Sequence, residues 1–137
     1  MGGGRLTLLL DTHVLLWWLR DEPGLTPQQV QALDRAEAAG DALALSAISL
    51  WEIAKLADAA RIQLTHSLDG FLEALEHHSR LRVLPLSARV ALESTRLAPR
   101  FHRDPADQII AATARVHGLR LVTADGRIRA SGVVSVV

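Results

Sequence analysis

The sequence contains no cysteine and no tyrosine, and aromatic residues make up only 4% of its 137 residues. The absence of cysteine excludes disulfide bonds and thiolate metal sites, and it makes the cytosol the default compartment. Because 49% of the residues are hydrophobic and so few of these are aromatic, the core must be built from aliphatic side chains. The length is typical of one domain with one hydrophobic core, and we expect residues 1–137 to form it.

Long hydrophobic runs and an excess of charge of one sign are also missing. No stretch reaches the roughly 18–20 unbroken apolar residues of a membrane-spanning helix, and residues 1–5 lack the apolar run of a signal peptide. We therefore expect no membrane association. Basic and acidic side chains number 15 each, so the formal net charge is +0 and any polyanion must be bound by a local patch.

Short apolar runs alternate with longer segments that have helical spacing. Because strands and helices alternate throughout, we expect an α/β domain with a parallel sheet and helices on both faces. The predicted strands are residues 6–10, 42–45, 81–84, 119–123 and 133–137. The predicted helices are residues 13–19, 27–39, 49–59 (beginning between 46 and 49), 67–78, 87–97 and 105–117.

Four carboxylates lie at the junctions between these elements. Asp11 ends the first strand, Glu52 and Asp107 lie near the starts of two helices, and Asp125 follows the fourth strand. In a parallel α/β sheet, strand ends and the starts of the following helices share one edge, so the four acids can converge. Converged carboxylates repel one another unless a cation compensates, and Mg²⁺ or Mn²⁺ with oxygen ligands does this well. The pattern therefore predicts a divalent metal site.

Each of the last three acids also has a purely structural explanation. Ser49–Glu52 matches a capping box, in which the glutamate only accepts a backbone hydrogen bond. Asp104 precedes a proline and is typical of a helix N-cap, and Asp107 could simply favour the helix dipole. Asp125–Gly126 is typical of an ordinary turn. Asp11 is the hardest to explain in this way, because it directly follows a buried strand.

Four segments that contain these acids resemble the signature blocks of PIN domains, and most of all those of VapC-type ribonuclease toxins. They occur in the family's order, and they are LLLDT at 8–12, SAISLWEI at 46–53, DPADQIIAA at 104–112 and LVTAD at 121–125. The resemblance implies a three-layer α/β/α sandwich and Mg²⁺- or Mn²⁺-dependent cleavage of RNA. It also implies a cognate VapB-like antitoxin and a homodimer, and the helix that carries Trp17 and Trp18 is compatible with a dimer surface.

Carried over position by position, the resemblance also implies roles for individual residues. Asp11, Glu52 and Asp107 would form the acidic core that binds metal and carries catalysis. Asp125 would be a fourth, more variable acid of the same site. Thr123 matches a family hydroxyl near the metal, although a threonine in a strand needs no functional explanation.

Basic residues flank the last two acids. Arg100, His102 and Arg103 precede Asp104, and Arg127 and Arg129 follow Asp125. Such side chains could hold RNA phosphates on either side of the scissile bond, which would make them substrate-binding residues. The alternative is that they belong to solvated loops.

Three other functions are compatible with parts of the pattern. A receiver domain would need a phosphoacceptor aspartate after the third strand and a late lysine, but 84–87 reads LPLS and the only lysine is Lys55. A haloacid-dehalogenase-type phosphatase wants a second aspartate two residues after the first, where His13 stands. A PIN-like module that binds a protein or RNA partner without cleaving remains open, although the four acids argue against it.

Overall fold

The computed structural model describes residues 4–99 and 101–137. In these residues the chain forms a parallel four-stranded sheet with the strand order β3-β2-β1-β4. The strands are β1 (Leu6–Leu10), β2 (Ala42–Ser46), β3 (Leu81–Leu84) and β4 (Arg120–Val122). The helices are α1 (Thr12–Arg20), α2 (Pro27–Ala38), α3 (Ala47–Asp58), α4 (Leu68–Glu76), α5 (Ala88–Ser94), α6 (Pro105–His117) and α7 (Gly126–Ser131).

The sheet is buried on both faces, which confirms the three-layer α/β/α architecture. Side chains alternate along a strand, so Leu8 and Leu10 lie in one hydrophobic cluster and Leu9 lies in the other. The first cluster is covered by α1, α2, α3 and α4, and the second by α6 and α7. Both clusters are mostly aliphatic, as the composition predicts.

The prediction of a final strand over residues 133–137 was wrong in its length. Its pairing with β4 is limited to one isolated parallel bridge between Leu121 and Val136. The prediction of a turn at Asp125–Gly126 was also wrong, since Asp125 is the N-cap of the short helix α7. This helix ends at Gly132, which adopts a left-handed conformation with φ of 73°. The segment 133–137 then runs alongside β4, which is itself only three residues long.

The carboxyl ends of the two central strands define one edge of the sheet. In the register of β1 with β4, Leu10 pairs with Val122, so Asp11 and Thr123 follow their strands at the same level. On the other side Leu10 pairs with Leu45, and α3 begins directly after β2. Side chains that follow these three strands are therefore held within one small region. Within the described part of the chain, no helix is both long and apolar enough to span a bilayer.

Candidate metal centre

Asp11 is held rigidly at the junction of β1 and α1. It is the N-cap of α1, and its Oδ1 accepts a hydrogen bond of 2.8 Å from the backbone N–H of Thr12. Its Oδ2 accepts a hydrogen bond of 2.6 Å from the hydroxyl of Thr123. Only 8% of Asp11 is exposed, and this burial raises the pKa of its carboxyl despite the two donors. The charged form is thus oriented but incompletely compensated by protein groups.

Glu52 lies in the second turn of α3, and the capping-box interpretation of Ser49–Glu52 was wrong. Because β2 extends to Ser46, that serine caps the helix by accepting a hydrogen bond of 3.2 Å from the N–H of Ile48. The Glu52 carboxylate instead accepts a hydrogen bond of 2.5 Å from the hydroxyl of Thr12. Burial raises the pKa of Glu52, and the negative charges of neighbouring acids raise it further.

A short chain of hydroxyl groups supports Glu52. Ser49 is fully buried, and its hydroxyl lies 2.8 Å from that of Thr12. Because the single hydroxyl proton of Thr12 is given to Glu52, the Ser49 hydroxyl must donate to Thr12. The residue directly after Asp11 therefore fixes Glu52, and this links the ends of β1 and β2.

Asp107 lies in the first turn of α6 and is 7% exposed. The N-cap of that helix is Asp104, as predicted, with Oδ1 accepting from the N–H groups of Ala106 and Asp107 at 3.0 and 3.4 Å. The Asp107 Oδ2 lies 2.7 Å from Nε2 of His102. Burial raises the pKa of Asp107, and the charges of nearby acids, Asp11 first among them, add to the rise.

Asp125 differs from the other acids because an arginine two residues later, Arg127, forms an ion pair with it. Its Oδ1 accepts hydrogen bonds from the N–H groups of Arg127 and Ile128 at 2.8 and 3.3 Å. The Arg127 guanidinium lies 3.3 Å from Oδ2 of Asp125 and 3.8 Å from Oδ2 of Asp107. Burial alone would raise the pKa of Asp125, but the bonds from Arg127 and the backbone lower it below its usual value.

Two of the predicted acids and one histidine lie close enough together to bind one metal ion. One ligand atom each from His102, Asp107 and Asp125 lie within 4.8 Å of one another. Asp11 and Glu52 belong to the same electrostatic cluster, because the charge of Asp11 raises the pKa of both Glu52 and Asp107. Carboxylate oxygens with one imidazole nitrogen can coordinate a divalent cation, so the residues present fit such an ion.

The predicted substrate-binding residues have different surroundings. His102 is mostly buried and faces Asp107, and its ring stacks on Phe101 with centroids 4.5 Å apart. Arg103 is exposed, whereas Arg100 lies outside the described residues. Trp17 and Trp18 are partly buried and pack against the hydrophobic cluster beneath α1.

Sequence reasoning missed three supporting side chains. Thr12 and Ser49 stand inside segments that were singled out for their acids, but nothing in the pattern indicates which hydroxyl reaches which carboxylate. Gln29 is 1% exposed, and its Nε2 donates to the backbone oxygens of Thr123 at 3.0 Å and Val137 at 3.4 Å. Its capping-box spacing from Thr26 was the available signal, and the structure shows that reciprocal pair of hydrogen bonds.

Comparison with known proteins agrees with this geometry. A model of the PIN domain matches residues 8–132, and the chain belongs to that family. Ribonuclease VapC22 of Mycobacterium tuberculosis (strain ATCC 25618 / H37Rv) is 42% identical over 123 residues, which cover 90% of each chain. FitAcB from Neisseria gonorrhoeae is a solved structure with a TM-score of 0.62 and 28% identity, covering 95% of this chain and 96% of that one.

A second solved structure agrees in fold alone. VapBC2 from Rickettsia felis, bound to a DNA fragment from its promoter, superposes with a TM-score of 0.69 at 18% identity. The match covers 96% of this chain and 97% of that one. The family relationship and the three-layer fold therefore agree with what the four sequence blocks predict.

Proposed function

We propose that this protein is a metal-dependent endoribonuclease and the toxin of a type II toxin–antitoxin pair. The observation that carries the proposal is the meeting of acids at the sheet edge, where ligand atoms of Asp107, Asp125 and His102 lie within 4.8 Å of one another. The raised pKa values of Asp11, Glu52 and Asp107 agree with it. Perturbed pKa values of this kind cluster at functional sites, and a cation bound between these carboxylates would favour their charged forms. The 42% identity to a protein named as a ribonuclease supports the same activity.

The acids are suited to hold Mg²⁺ or Mn²⁺. Asp11 and Asp107 would bind the ion directly, and Glu52 and Asp125 would bind it directly or through water. When bound, such an ion makes water a stronger nucleophile at neutral pH and offsets charge on the phosphodiester group. His102 is a nitrogen donor, which Mn²⁺ accepts more readily than Mg²⁺ does.

The chain's own hydrogen bonds prepare the site for this role. The Thr123 hydroxyl and the Thr12 N–H hold both oxygens of Asp11, and the Thr12 hydroxyl holds one oxygen of Glu52. His102 holds one oxygen of Asp107. Ligands that are already oriented lose little freedom when an ion binds, which improves both affinity and placement.

Exposed arginines beside the acids would contact the substrate. Arg127 contacts Asp125 with 64% of its side chain exposed, and Arg103 is exposed directly before Asp104. Guanidinium groups suit the phosphates of RNA. Arg100 belongs to the same proposal as a sequence neighbour. Hydrolysis in this arrangement would give 5′-phosphate and 3′-hydroxyl products, which is what the family relationship implies.

The proposed partner is a VapB-like antitoxin that blocks the site, and we also propose a homodimer. One solved relative supports the first part, since the similar structure from Klebsiella pneumoniae, at 25% identity and a TM-score of 0.63, is a toxin–antitoxin complex. Co-production with the neighbouring reading frame, followed by size-exclusion chromatography with light scattering, would test both the complex and the dimer.

The function is tested with antitoxin-free protein and RNA in Mg²⁺ or Mn²⁺, beside an EDTA control. We expect cleavage that is lost in Asp11→Asn and retained in Asp34→Asn, which changes an exposed aspartate on α2. If Asp11→Asn cleaves as fast as wild type, the assignment is wrong. Calorimetry adds an independent readout, because a module that only binds a partner would give no heat with Mn²⁺ at neutral pH.

A further inference from the structure

The solvent face of α3, next to the acidic cluster, carries an exposed aromatic side chain. Trp51 is 53% exposed and is the most exposed large hydrophobic residue in the described part of the chain. Trp17 and Trp18, by contrast, pack partly buried against the core. An indole ring left in water on an ordered helix offers a flat apolar surface to a ligand.

The position of Trp51 relates it directly to the proposed active site. It immediately precedes Glu52 on α3, and both residues line one open depression of about 340 Å³. Because Glu52 belongs both to the acidic cluster and to the lining of the depression, the two adjoin each other.

Two cations border the same depression. Lys55 lies one helical turn after Trp51 on the exposed face, and its Nζ is 5.6 Å from the centre of the indole ring. Arg61 returns to this face because Ala60 adopts a left-handed conformation with φ of 56° and the Arg61 N–H donates to the Leu56 carbonyl at 2.8 Å. Asp58 also lines the depression, so its charged residues are two cations, Lys55 and Arg61, and two acids, Glu52 and Asp58.

The chemistry of this surface fits an unpaired nucleotide of single-stranded RNA. An aromatic face accepts any base by stacking, and a flexible cation beside it can contact the phosphate of the same nucleotide. The Lys55 contact with the ring is exposed and weak, so an incoming base can replace it. A purely electrostatic surface would not need the tryptophan, and a buried protein interface would be poor in lysine.

We propose that Trp51 stacks on a base of the RNA substrate next to the scissile phosphate, with Lys55 contacting that nucleotide's phosphate. This inference rests on the proposed ribonuclease function. It adds two substrate-positioning residues, Trp51 and Lys55, that are not themselves proposed metal ligands. Stacking of this kind would favour unpaired bases without requiring one particular base.

The experiment measures binding of a fluorescein-labelled 12-nucleotide oligoadenylate by fluorescence anisotropy in Mg²⁺. All variants carry Asp11→Asn so that the RNA stays intact. Trp51→Ala should weaken binding by about 5- to 100-fold, the range that loss of one base stack gives. Trp51→Phe should retain most of the affinity, and Trp51→Leu, which is apolar without an aromatic face, should not.

Salt dependence separates the two residues. Lys55→Gln should lower the slope of log affinity against log salt concentration by about 0.7, the value for one phosphate contact on a single strand. Trp51→Ala should leave that slope unchanged, since stacking releases no counterions. Leu92→Ala, which truncates another side chain that is 50% exposed, is the control for nonspecific surface effects.

Three results would overturn the inference. The first is that Trp51→Ala in the Asp11→Asn background binds RNA within twofold of the Asp11→Asn protein, while the wild-type protein cleaves RNA. The ribonuclease function would then stand without this surface. A second is equal binding by Trp51→Leu and Trp51→Phe. The third is unchanged RNA binding with loss of the antitoxin complex, which would assign the surface to a protein partner. If the wild-type protein neither binds nor cleaves RNA, the proposed function fails as well.

Discussion

The hydroxyl of Thr123 donates a 2.6 Å hydrogen bond to Oδ2 of Asp11, and this bond joins residues 112 positions apart. The same hydroxyl accepts a 3.0 Å hydrogen bond from the backbone N–H of Asp125. One buried side chain thus fixes two of the four acids relative to each other. Its placement at the end of β4, beside the end of β1, follows directly from the parallel register.

Thr123→Val should therefore damage both stability and metal binding. The valine keeps the shape but removes the partner of the Asp125 N–H and one of the two donors to the Asp11 carboxylate, at a cost of about 1–3 kcal/mol in the free energy of unfolding. Mn²⁺ affinity should fall by about 10- to 100-fold, as for other residues that orient metal ligands. Urea unfolding and Mn²⁺ electron paramagnetic resonance measure the two effects.

Thr123→Ser is the matched control, because it keeps the hydroxyl and removes only a methyl group. It should bind Mn²⁺ nearly as wild type does. Equal Mn²⁺ affinity for the valine and serine variants would mean that the hydroxyl does not prepare Asp11 for the ion.

Asp11 should also limit the stability of the metal-free protein. Because burial raises its pKa in the folded state, its contribution to stability is largest at low pH, where it is protonated, and is lost as the pH rises through the folded-state pKa. Asp11→Asn should therefore raise the free energy of unfolding at pH 7 in EDTA by roughly 0.5–2 kcal/mol. Asparagine can still cap α1.

The pH dependence distinguishes this effect from a general gain in packing. The advantage of Asp11→Asn should shrink as the pH falls through the folded-state pKa of Asp11 and vanish near the pKa of an unfolded aspartate. Saturating Mg²⁺ should reverse it, since the ion stabilises only the wild type. Urea unfolding at several pH values, with exposed Asp34→Asn as the control, measures this. A gain that does not change with pH would contradict the explanation.

The strands were predicted to within about one residue where an apolar run ends at a polar side chain, as β1 does before Asp11. The helix α7 was missed because its six residues, GRIRAS, contain one buried apolar side chain, Ile128, which is too little for a periodic pattern. The order of the strands depends on long-range packing that local periodicity does not encode. It is this order that places β1 between β2 and β4.

The candidate site was predicted as a set of acids but not as a network. Local spacing offered two serines as the cap of α3, and only the true end of β2 decides for Ser46 over Ser49. With Ser46 as the cap, Glu52 is no longer placed to cap α3, and its carboxylate contacts Thr12 in the candidate site instead. Partners such as Thr12 and Gln29 are polar residues whose burial is a tertiary property, so sequence spacing could not assign their contacts.

His102 should affect the metal site without being one of its acids. Its Nε2 lies 2.7 Å from Oδ2 of Asp107, and stacking on Phe101 fixes the ring. His102→Ala should weaken Mn²⁺ binding by about 10- to 100-fold. His77→Ala, on the exposed surface of α4, should have no effect.

His102→Gln shows how the histidine acts. Glutamine can still donate a hydrogen bond to Asp107, so it should restore part of the affinity if His102 only orients the carboxylate. It should restore none if the imidazole binds Mn²⁺ directly, and pulsed electron paramagnetic resonance should then detect a nitrogen coupling in the wild type alone. Wild-type affinity in His102→Ala would contradict both roles.

Arg127 places its positive charge beside two of the proposed metal ligands. Its guanidinium contacts Asp125 and approaches Asp107 at 3.8 Å, while 64% of its side chain remains exposed. A divalent ion at the same carboxylates must compete with this positive charge. We expect Arg127→Ala to bind Mn²⁺ about two- to fivefold more tightly, as suits the loss of an exposed ion pair. Calorimetry measures the change, with Arg35→Ala on α2 as the control.

The same substitution should have the opposite effect on RNA. Once an ion replaces it at the carboxylates, the Arg127 side chain is free to contact a phosphate, so Arg127→Ala should weaken binding of oligoadenylate and lower its salt slope by about 0.7. Arg127→Lys should retain the slope, because lysine also neutralises one phosphate. Weaker Mn²⁺ binding in Arg127→Ala would show instead that the arginine positions Asp125 as a ligand, since losing a competitor cannot reduce affinity.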